Sequence, residues 1–322
     1  MKKLFAMMTL VCAGWMISAC SDDGSDNSVQ PVDVPVDPNS SADAALSSAA
    51  LPVDPVSSSS VAPVDPVSSS SVAPVDPNVS YTYYGTELTG KEQFLYGRFE
   101  ARMKMLSFPG SVSSMFLYYD PSYLLGAQPW NEIDIEVLGK TDTVWQANLI
   151  TREPDGDKKN AKITSETKPE FGFHASEEFH LYGIVWTPEY IAWEIDSVEI
   201  RRDVIGNPDN RKHDQVAFMN QEQSLRFNVW ISGSAGWVGK FTGEELAAGP
   251  QIQYIDYVRV YTYDTTSKAF TFKWQDDFDG DDLDWDRWSR GNWEMEKVMY
   301  RPENLVVKDG MAQMILDREA NK

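Results

Sequence analysis

The stretch Arg98–Met105, which reads RFEARMKM, decides the fold class of this chain. Apolar and charged residues alternate along it, so one face of the segment is apolar and the other is charged. Because successive side chains of a β-strand point to opposite faces of a sheet, this period of two predicts a half-buried strand. The same alternation recurs in four later segments, Tyr190–Arg201, Leu225–Ile231, Ile255–Tyr263 and Phe270–Trp274.

Turn signals separate these segments. Glycine, proline and aspartate cluster at Phe108–Gly110, Asp155–Asp157 and Asp309–Gly310, and such clusters mark tight turns. Only the stretch Gly243–Ala248 favours a short helix. Many short alternating strands joined by turns, without a second linker among them, predict one all-β sandwich domain over residues 81–322.

The composition excludes several classes of function. The chain has 322 residues and a net charge of −21, from 49 acidic and 28 basic residues. Such an acidic surface repels a phosphate backbone, which argues against binding to nucleic acid. The two cysteines, Cys12 and Cys20, both lie in the first twenty residues. The predicted domain therefore has no disulfide and no cysteine-based metal site.

Residues 1–20 have the form of an export signal. Lys2 and Lys3 precede the apolar stretch Leu4–Ser18, which is too short to span a membrane comfortably. The sequence Ile-Ser-Ala before Cys20 resembles a bacterial lipoprotein cleavage site, which implies acylation of Cys20. We expect an exported protein that is lipid-anchored to the bacterial cell envelope, at the outer membrane or cell surface. The alternative is a plain signal peptide with an incidental cysteine.

Residues 21–80 form a predicted linker. They are almost entirely Ser, Pro, Val, Asp and Ala, and a short repeat starts at Pro52, at Pro63 and again at Pro74. Stacked copies would bury nothing because the repeat lacks large apolar residues. The composition is typical of an extended spacer that holds a domain away from a membrane.

The segment Trp130–Val137, WNEIDIEV, carries the residues that could perform chemistry. Apolar Ile and Val residues alternate with Glu132, Asp134 and Glu136, so three carboxylates share one face of a strand. Like charges so placed raise one another's pKa. Glycoside hydrolysis needs this situation, with one carboxylate ionised and another protonated.

Spacing alone leaves the reacting pair open. Residues two apart on a strand have Cα atoms about 6.6 Å apart, and residues four apart about 13 Å, whereas a retaining glycosidase needs carboxyl groups about 5–5.5 Å apart. This favours a neighbouring pair such as Glu132 and Asp134. The two longer side chains, Glu132 and Glu136, can also converge above Asp134. Three acids on a strand could equally be a solvated face or bind calcium.

Here the sequence resembles family 16 of the glycoside hydrolases, whose signature is Glu-x-Asp-x-Glu on a strand. The likeness continues in four other segments, Tyr96–Lys104, Ser111–Tyr118, Leu225–Trp230 and Asp256–Tyr261. The resemblance implies a β-jelly-roll sandwich of the concanavalin A-like type with a concave substrate cleft. It also implies retaining hydrolysis of a polysaccharide β-glucan, with no cofactor for catalysis.

Roles follow from the same resemblance. Glu132 corresponds to the nucleophile, Glu136 to the general acid and base, and Asp134 to the assisting acid. No extra residue precedes Glu136, as in lichenases, which cut mixed-linkage β-1,3-1,4-glucan, and in xyloglucan-active members. By position, further residues correspond to those that line the lichenase cleft: Glu87, Phe116, Tyr118, Trp130, Asn148, Arg226, Asn228, Trp230, Trp237 and Trp293.

Alternative functions remain open at this point. Xyloglucan or laminarin could replace mixed-linkage glucan as the substrate. A surface lipoprotein that binds glycans without cleaving them is a further alternative, although such a protein has no need of the three acids. The segment around Tyr119–Ala127 also differs from close relatives and borders the expected cleft.

The order of motifs is unusual for the family. Segments that open most relatives, Asp276–Gly280, Asp286–Trp288 and Gly291–Trp293, here follow Tyr261. The chain therefore resembles a circularly permuted lichenase.

The permuted form further suggests a structural calcium ion, bound by Asp256, Asp277 and the carbonyl of Gly310. An ordinary acidic turn is the alternative. We expect a monomer.

Overall fold

Antiparallel strands make up most of the chain that the computed structural model describes, which comprises residues 79–124, 127–154, 161–206 and 214–321. The strands are β1 (Tyr81–Phe94), β2 (Gly97–Lys104), β3 (Ser111–Tyr118), β4 (Trp130–Leu138), β5 (Trp145–Arg152), β6 (Ile163–Thr164), β7 (His180–Trp186), β8 (Tyr190–Ile195), β9 (Val198–Val204), β10 (Gln223–Ile231), β11 (Gln251–Asp264), β12 (Ala269–Asp276), β13 (Trp288–Arg290), β14 (Glu294–Met295), β15 (Val298–Tyr300), β16 (Leu305–Lys308) and β17 (Met311–Ala320). Two short α-helices, α1 (Gln215–Phe218) and α2 (Ala235–Val238), and the 3₁₀ turns Asp120–Tyr123, Glu244–Leu246 and Pro302–Asn304 complete the list.

The strands form two layers. One layer, the cleft sheet, has the order β13-β1-β10-β3-β4-β5-β6. The other, the outer sheet, has β11 paired on one side with β2, followed by β7, β8 and β9. The other side of β11 pairs first with β17 and then with β12. This arrangement is the predicted all-β jelly-roll sandwich.

The core lies between the layers and is built by the alternation seen in the sequence. Phe99, Ala101 and Met103 of β2 are fully buried, as are Ile133 and Ile135 of β4. These side chains belong to one continuous hydrophobic cluster. Because successive side chains of a strand point to opposite faces of the sheet, the residues between these core positions face the other side of their sheet.

The strands that follow Tyr261 return to the start of the domain. β13, β15 and β17 all pair with β1, and residues Tyr81–Tyr84 pair with Asp317–Ala320. Two of the displaced segments, Asp286–Trp288 and Gly291–Trp293, therefore lie beside the first strand, as expected for a permuted order that keeps each strand with its neighbours.

Two local expectations were wrong. The run Tyr190–Arg201 is a hairpin of β8 and β9, because Asp196 and Ser197 adopt positive φ values of 50° and 65° and reverse the chain. Short helices also occur outside Gly243–Ala248, at α1 and α2.

Other expectations fall outside the described residues. These are the signal peptide with Cys20, almost all of the linker, and the turn at Asp155–Asp157. Within the described ranges, no helix is both long enough and apolar enough to cross a membrane.

Candidate active site

The three acids lie along β4, near the centre of the cleft sheet. β4 pairs with β3 on one side and β5 on the other, and both ladders run through Glu132, Asp134 and Glu136 without a shift in register. Asp134 is almost fully buried, and the two glutamates are partly buried. The uninterrupted ladder keeps all three side chains on one face.

Most of the predicted cleft residues share this face. Phe116 and Tyr118 of β3 stand directly opposite Asp134 and Glu132, and Asn148 of β5 stands on the other side of Asp134. The remaining members lie in register on the next strands or at the start of β4: Arg226, Asn228 and Trp230 on β10, Glu87 on β1, and Trp130. The structure thus brings together side chains that are up to 143 positions apart in the sequence, from Glu87 to Trp230.

Asp134 is the acid that favours its neutral form most strongly. Burial raises its pKa well above the usual value, and the charges of Glu132 and Glu136 raise it further. A protonated Asp134 donates a hydrogen bond to Glu132, which favours the ionised form of Glu132. The middle residue therefore assists Glu132.

Glu132 has further groups that stabilise its negative charge. Burial raises its pKa, but Lys162, the Trp130 indole and Arg226 all lower it. Trp130 Nε1 donates to Glu132 Oε2 at 2.6 Å, and Lys162 Nζ lies 4.0 Å from the centre of the Trp130 ring. Glu132 is the acid best provided with partners for its charged form.

Glu136 has the opposite tendency. Burial and the charge of Glu132 raise its pKa to about 8. Gln146 Nε2 donates to Glu136 Oε2 at 2.7 Å, and Trp237 Nε1 donates to Gln146 Oε1 at 3.1 Å. Trp237, on α2, is thus linked to the acid through Gln146. At neutral pH Glu136 is protonated while Glu132 has the partners to be ionised.

An ion-pair network centred on the buried Arg226 lies one strand beyond β3. Arg226 pairs with Glu87 at 3.2 Å and with Asp120 at 2.7 Å, and its guanidinium lies 5.0 Å from the centre of the Tyr118 ring. Burial raises the pKa of Glu87, and the charge of Arg226 opposes that rise. Asn228 accepts a hydrogen bond from Ser114 at 2.6 Å.

Trp293 reaches the same region from the C-terminal part of the chain. It lies between β13 and β14, has an exposed fraction of 44%, and packs edge-on against Tyr300. Its ring lines a cavity of about 290 Å³ together with Arg226 and Asp120.

With this geometry in place, comparison with known proteins identifies the family. The family model "Glycosyl hydrolases family 16" matches residues 63–259. The chain belongs to family 16 of the glycosyl hydrolases.

Individual relatives of this family-16 chain are named for action on β-glucan. The Beta-glucanase of Fibrobacter succinogenes is 39% identical over 244 residues, which are 74% of this chain and 65% of that protein. The Beta-glucanase of Acetivibrio thermocellus is 34% identical over 183 residues, 56% of this chain and 47% of that protein. The chain thus spans less than two thirds of the length of these relatives.

A solved structure, a prokaryotic beta-1,3-1,4-glucanase (lichenase) derived from a mouse hindgut metagenome, is 33% identical with a TM-score of 0.39. That comparison covers 49% of this chain and 64% of the other.

The calcium ligands expected from the resemblance meet at one place in the backbone. Asp256 lies where β11 passes from β17 to β12, Asp277 directly follows β12, and Gly310 directly precedes β17. Yet the Asp256 carboxylate is ion-paired with Arg102 at 2.7 Å. Among the described residues, no group of three or more acidic, histidine or cysteine side chains is placed to hold a metal ion. Calcium binding by these residues therefore stays a prediction.

Sequence reasoning missed three residues of this site. Gln146, Asp120 and Lys162 each contact a predicted residue, but none belongs to a motif. Signals existed for two of them. Gln146 lies two residues before Asn148 and so shares its face on β5, and Asp120 lies in the segment around Tyr119–Ala127 that borders the expected cleft.

Proposed function

We propose that this family-16 chain is an endo-acting, retaining hydrolase of mixed-linkage β-1,3-1,4-glucan. The observation that carries the proposal is the unequal environment of three aligned carboxylates. Asp134 donates a hydrogen bond to Glu132. Burial and the charge of Glu132 raise the pKa of Glu136 to about 8, which favours its protonated form at neutral pH. One nucleophile and one proton donor are what a double displacement needs.

In the first step a Glu132 oxygen attacks the anomeric carbon of the sugar bound above β4. The bond from that carbon to the glycosidic oxygen breaks, and Glu136 gives its proton to the departing oxygen. The products are a glycosyl ester on Glu132, an ionised Glu136 and a shortened glucan with a free hydroxyl.

In the second step Glu136 takes a proton from water, and the water oxygen attacks the same carbon. The ester bond breaks and Glu132 regains its charge. The electrostatics support this exchange of roles, because the charge on Glu132 is one cause of the high Glu136 pKa. Once Glu132 is esterified, that charge is absent and the Glu136 pKa falls, which favours its action as a base.

The choice of mixed-linkage glucan is supported by the uninterrupted pairing of β4. The signature acids follow one another without a bulge, and the resemblance associates this form with lichenases and with xyloglucan-active members, as distinct from laminarinases. Aromatic rings flank the acids, with Tyr118 edge-on to Trp130 at 5.6 Å and Trp230 at 5.8 Å from Trp237. Such rings can stack on the C–H faces of sugars. Relatives named beta-glucanases, 39% and 34% identical, agree with this substrate class.

The purified protein should release reducing ends from lichenan and cereal β-glucan faster than from laminarin, xyloglucan or carboxymethyl-cellulose. Equal or faster release from laminarin or xyloglucan would move the proposal to that substrate. Binding to the panel without any release would instead support a glycan-binding lipoprotein.

Export and a lipid anchor at Cys20 belong to the same proposal and rest on the sequence of residues 1–20. Cells that produce the chain should incorporate labelled palmitate into it, and the label should be lost in Cys20→Ser. The expected monomer is tested by light scattering, and the calcium prediction by melting temperatures in calcium and in chelator.

A further inference from the structure

The segment that follows β3 carries an acidic residue to the wall of the cleft. Asp120 begins the 3₁₀ turn Asp120–Tyr123, and its carboxylate is 2.7 Å from Arg226 Nη2. Its side chain is 58% exposed, whereas that of Arg226 is only 9% exposed. Asp120 therefore pairs through one carboxylate oxygen with the buried guanidinium of Arg226, while much of its side chain faces solvent.

The backbone around Asp120 is fixed by buried polar contacts. Tyr119 N–H donates to the Asn131 carbonyl at 3.0 Å, and Asn131 N–H donates to Ser122 Oγ at 3.3 Å. Arg152 Nη2 donates to the Ser122 carbonyl at 3.0 Å. Asn131 and Ser122 are fully buried and Arg152 almost so. Buried groups with satisfied hydrogen bonds hold one geometry, so the turn is a rigid support and not a loose surface loop.

The guanidinium of Arg226 has more N–H donors than it uses in the contacts described here. Its Nε donates to Ser224 at 2.8 Å, and its two terminal nitrogens contact Glu87 and Asp120. A guanidinium has five N–H donors in a fixed plane, so two remain after these three contacts. The three partners fix the direction in which those two point.

Arg226 and Asp120 both border one cavity. Its volume is about 290 Å³, and its wall includes Thr89, Lys91, Asp120, Ser224, Arg226 and Trp293. An aromatic face together with convergent polar groups suits a sugar ring. The cavity lies over β10 and β1, which are two and three strand spacings, roughly 10 and 14 Å, from β4.

We propose that Asp120 is a substrate-binding residue that, with the Arg226 it orients, takes hydroxyl groups of a glucosyl unit in this cavity, remote from the bond that is cut. The proposal rests on the proposed function and adds a specificity determinant to it. The carboxylate accepts sugar O–H groups, Arg226 donates to sugar oxygens, and Trp293 covers the apolar side of the ring.

The test compares a long and a short substrate in Asp120→Asn and Asp120→Ala. Because a hydrogen bond to a charged group is lost and Arg226 is released, kcat/KM on mixed-linkage polysaccharide should fall about tenfold, mainly through KM. The kcat/KM on an aryl glycoside of a disaccharide, which is too short to reach the cavity from β4, should stay at the parental value. The matched control is Glu199→Gln, which removes an exposed carboxylate that is ion-paired with Arg202 on β9. This variant should keep the parental kcat/KM on both substrates.

Equal losses on both substrates, or parental KM on the polysaccharide, would overturn the inference. Binding separates this outcome from failure of the proposed function. In a Glu132→Gln background, calorimetry with a mixed-linkage hexasaccharide should give about tenfold weaker binding when Asp120 is also changed. If the parent protein cleaves no β-glucan, the proposed function fails, and the binding comparison still decides the role of Asp120.

Discussion

Strand β4 carries Ile133, Ile135 and Val137 toward the core and three carboxylates toward the cleft. The apolar set is fully buried and the acids are partly to almost fully buried, with opposite consequences. Burying each apolar side chain stabilises the fold by about 1.5–3 kcal/mol. Burying the acids disfavours their charged forms, as the raised pKa values of all three record.

One strand thus serves two purposes, because its apolar face stabilises the core and its other face carries the acids of the site. The apolar face and its two neighbouring strands offset the cost of crowding three acids on the other face. Substitutions on the two faces should therefore separate activity from stability, and four experiments test this separation.

The largest effect on activity is expected at the acids. Glu132→Gln and Glu136→Gln should each lower turnover on β-glucan at least about a thousandfold, because each removes a group that the reaction needs. Their melting temperatures should equal or exceed that of the parent, since a neutral amide is less costly to bury than a carboxylate. Near-parental turnover in both variants would refute the assigned roles.

On the core face, the effect should be on stability. Ile135 is fully buried, so Ile135→Ala should lower the free energy of unfolding by about 2–5 kcal/mol in urea titrations. Ile135→Val, the matched control, should lower it by about 0.5–1.5 kcal/mol. Below the melting transition, turnover per folded molecule should stay close to the parental value. A large loss of turnover in folded Ile135→Val would mean that the two faces are coupled.

A smaller effect is expected at Gln146. Its hydrogen bond favours the charged form of Glu136 and lowers that pKa. In the parent, kcat/KM should fall above about pH 8 as the acid deprotonates. Gln146→Leu should move this alkaline limb to higher pH and reduce the maximum about tenfold, because the acid also loses its positioning contact. An unmoved alkaline limb would show that Gln146 does not act on Glu136.

The smallest effect is expected at Trp130. Trp130→Phe keeps an aromatic ring and removes the Nε1 donor to Glu132. The ionised form of Glu132 then loses one hydrogen bond, so its pKa rises and the acidic limb of kcat/KM moves to higher pH by a fraction of a unit. Trp230→Phe serves as the control, since Trp230 makes no hydrogen bond to Glu132 in the described structure. A shift of the same size in both variants would assign it to the change of ring.

Much of this arrangement could be predicted from the order of residues. Alternation identified the main strands, and the three acids on one face followed directly from β4. The hairpin at Asp196 and Ser197 was missed because the apolar pattern continues through the turn. The positive φ values of these two residues and the antiparallel pairing of β8 with β9 reveal the reversal.

The contacts that tune the site could not be predicted in the same way. Gln146 meets Glu136 because β5 pairs with β4 in one particular register, and Asp120 meets Arg226 from 106 positions away. Neither register nor long-range approach can be read from composition or spacing. The resemblance to a family supplied roles for residues within motifs and none for those between them.

The pairing of β1 with β17 has a practical consequence. Thr82 Oγ1 donates to Asn321 at 2.7 Å, and Asn321 N–H donates to the Ser80 carbonyl at 2.9 Å. In a chain shortened to residues 80–321, a few residues of flexible peptide could join Asn321 to Ser80 and give a cyclic backbone in which β1 stays paired with β17. Such a ring would have fewer unfolded conformations and no frayed ends for exopeptidases, while the groove on the cleft sheet would stay open.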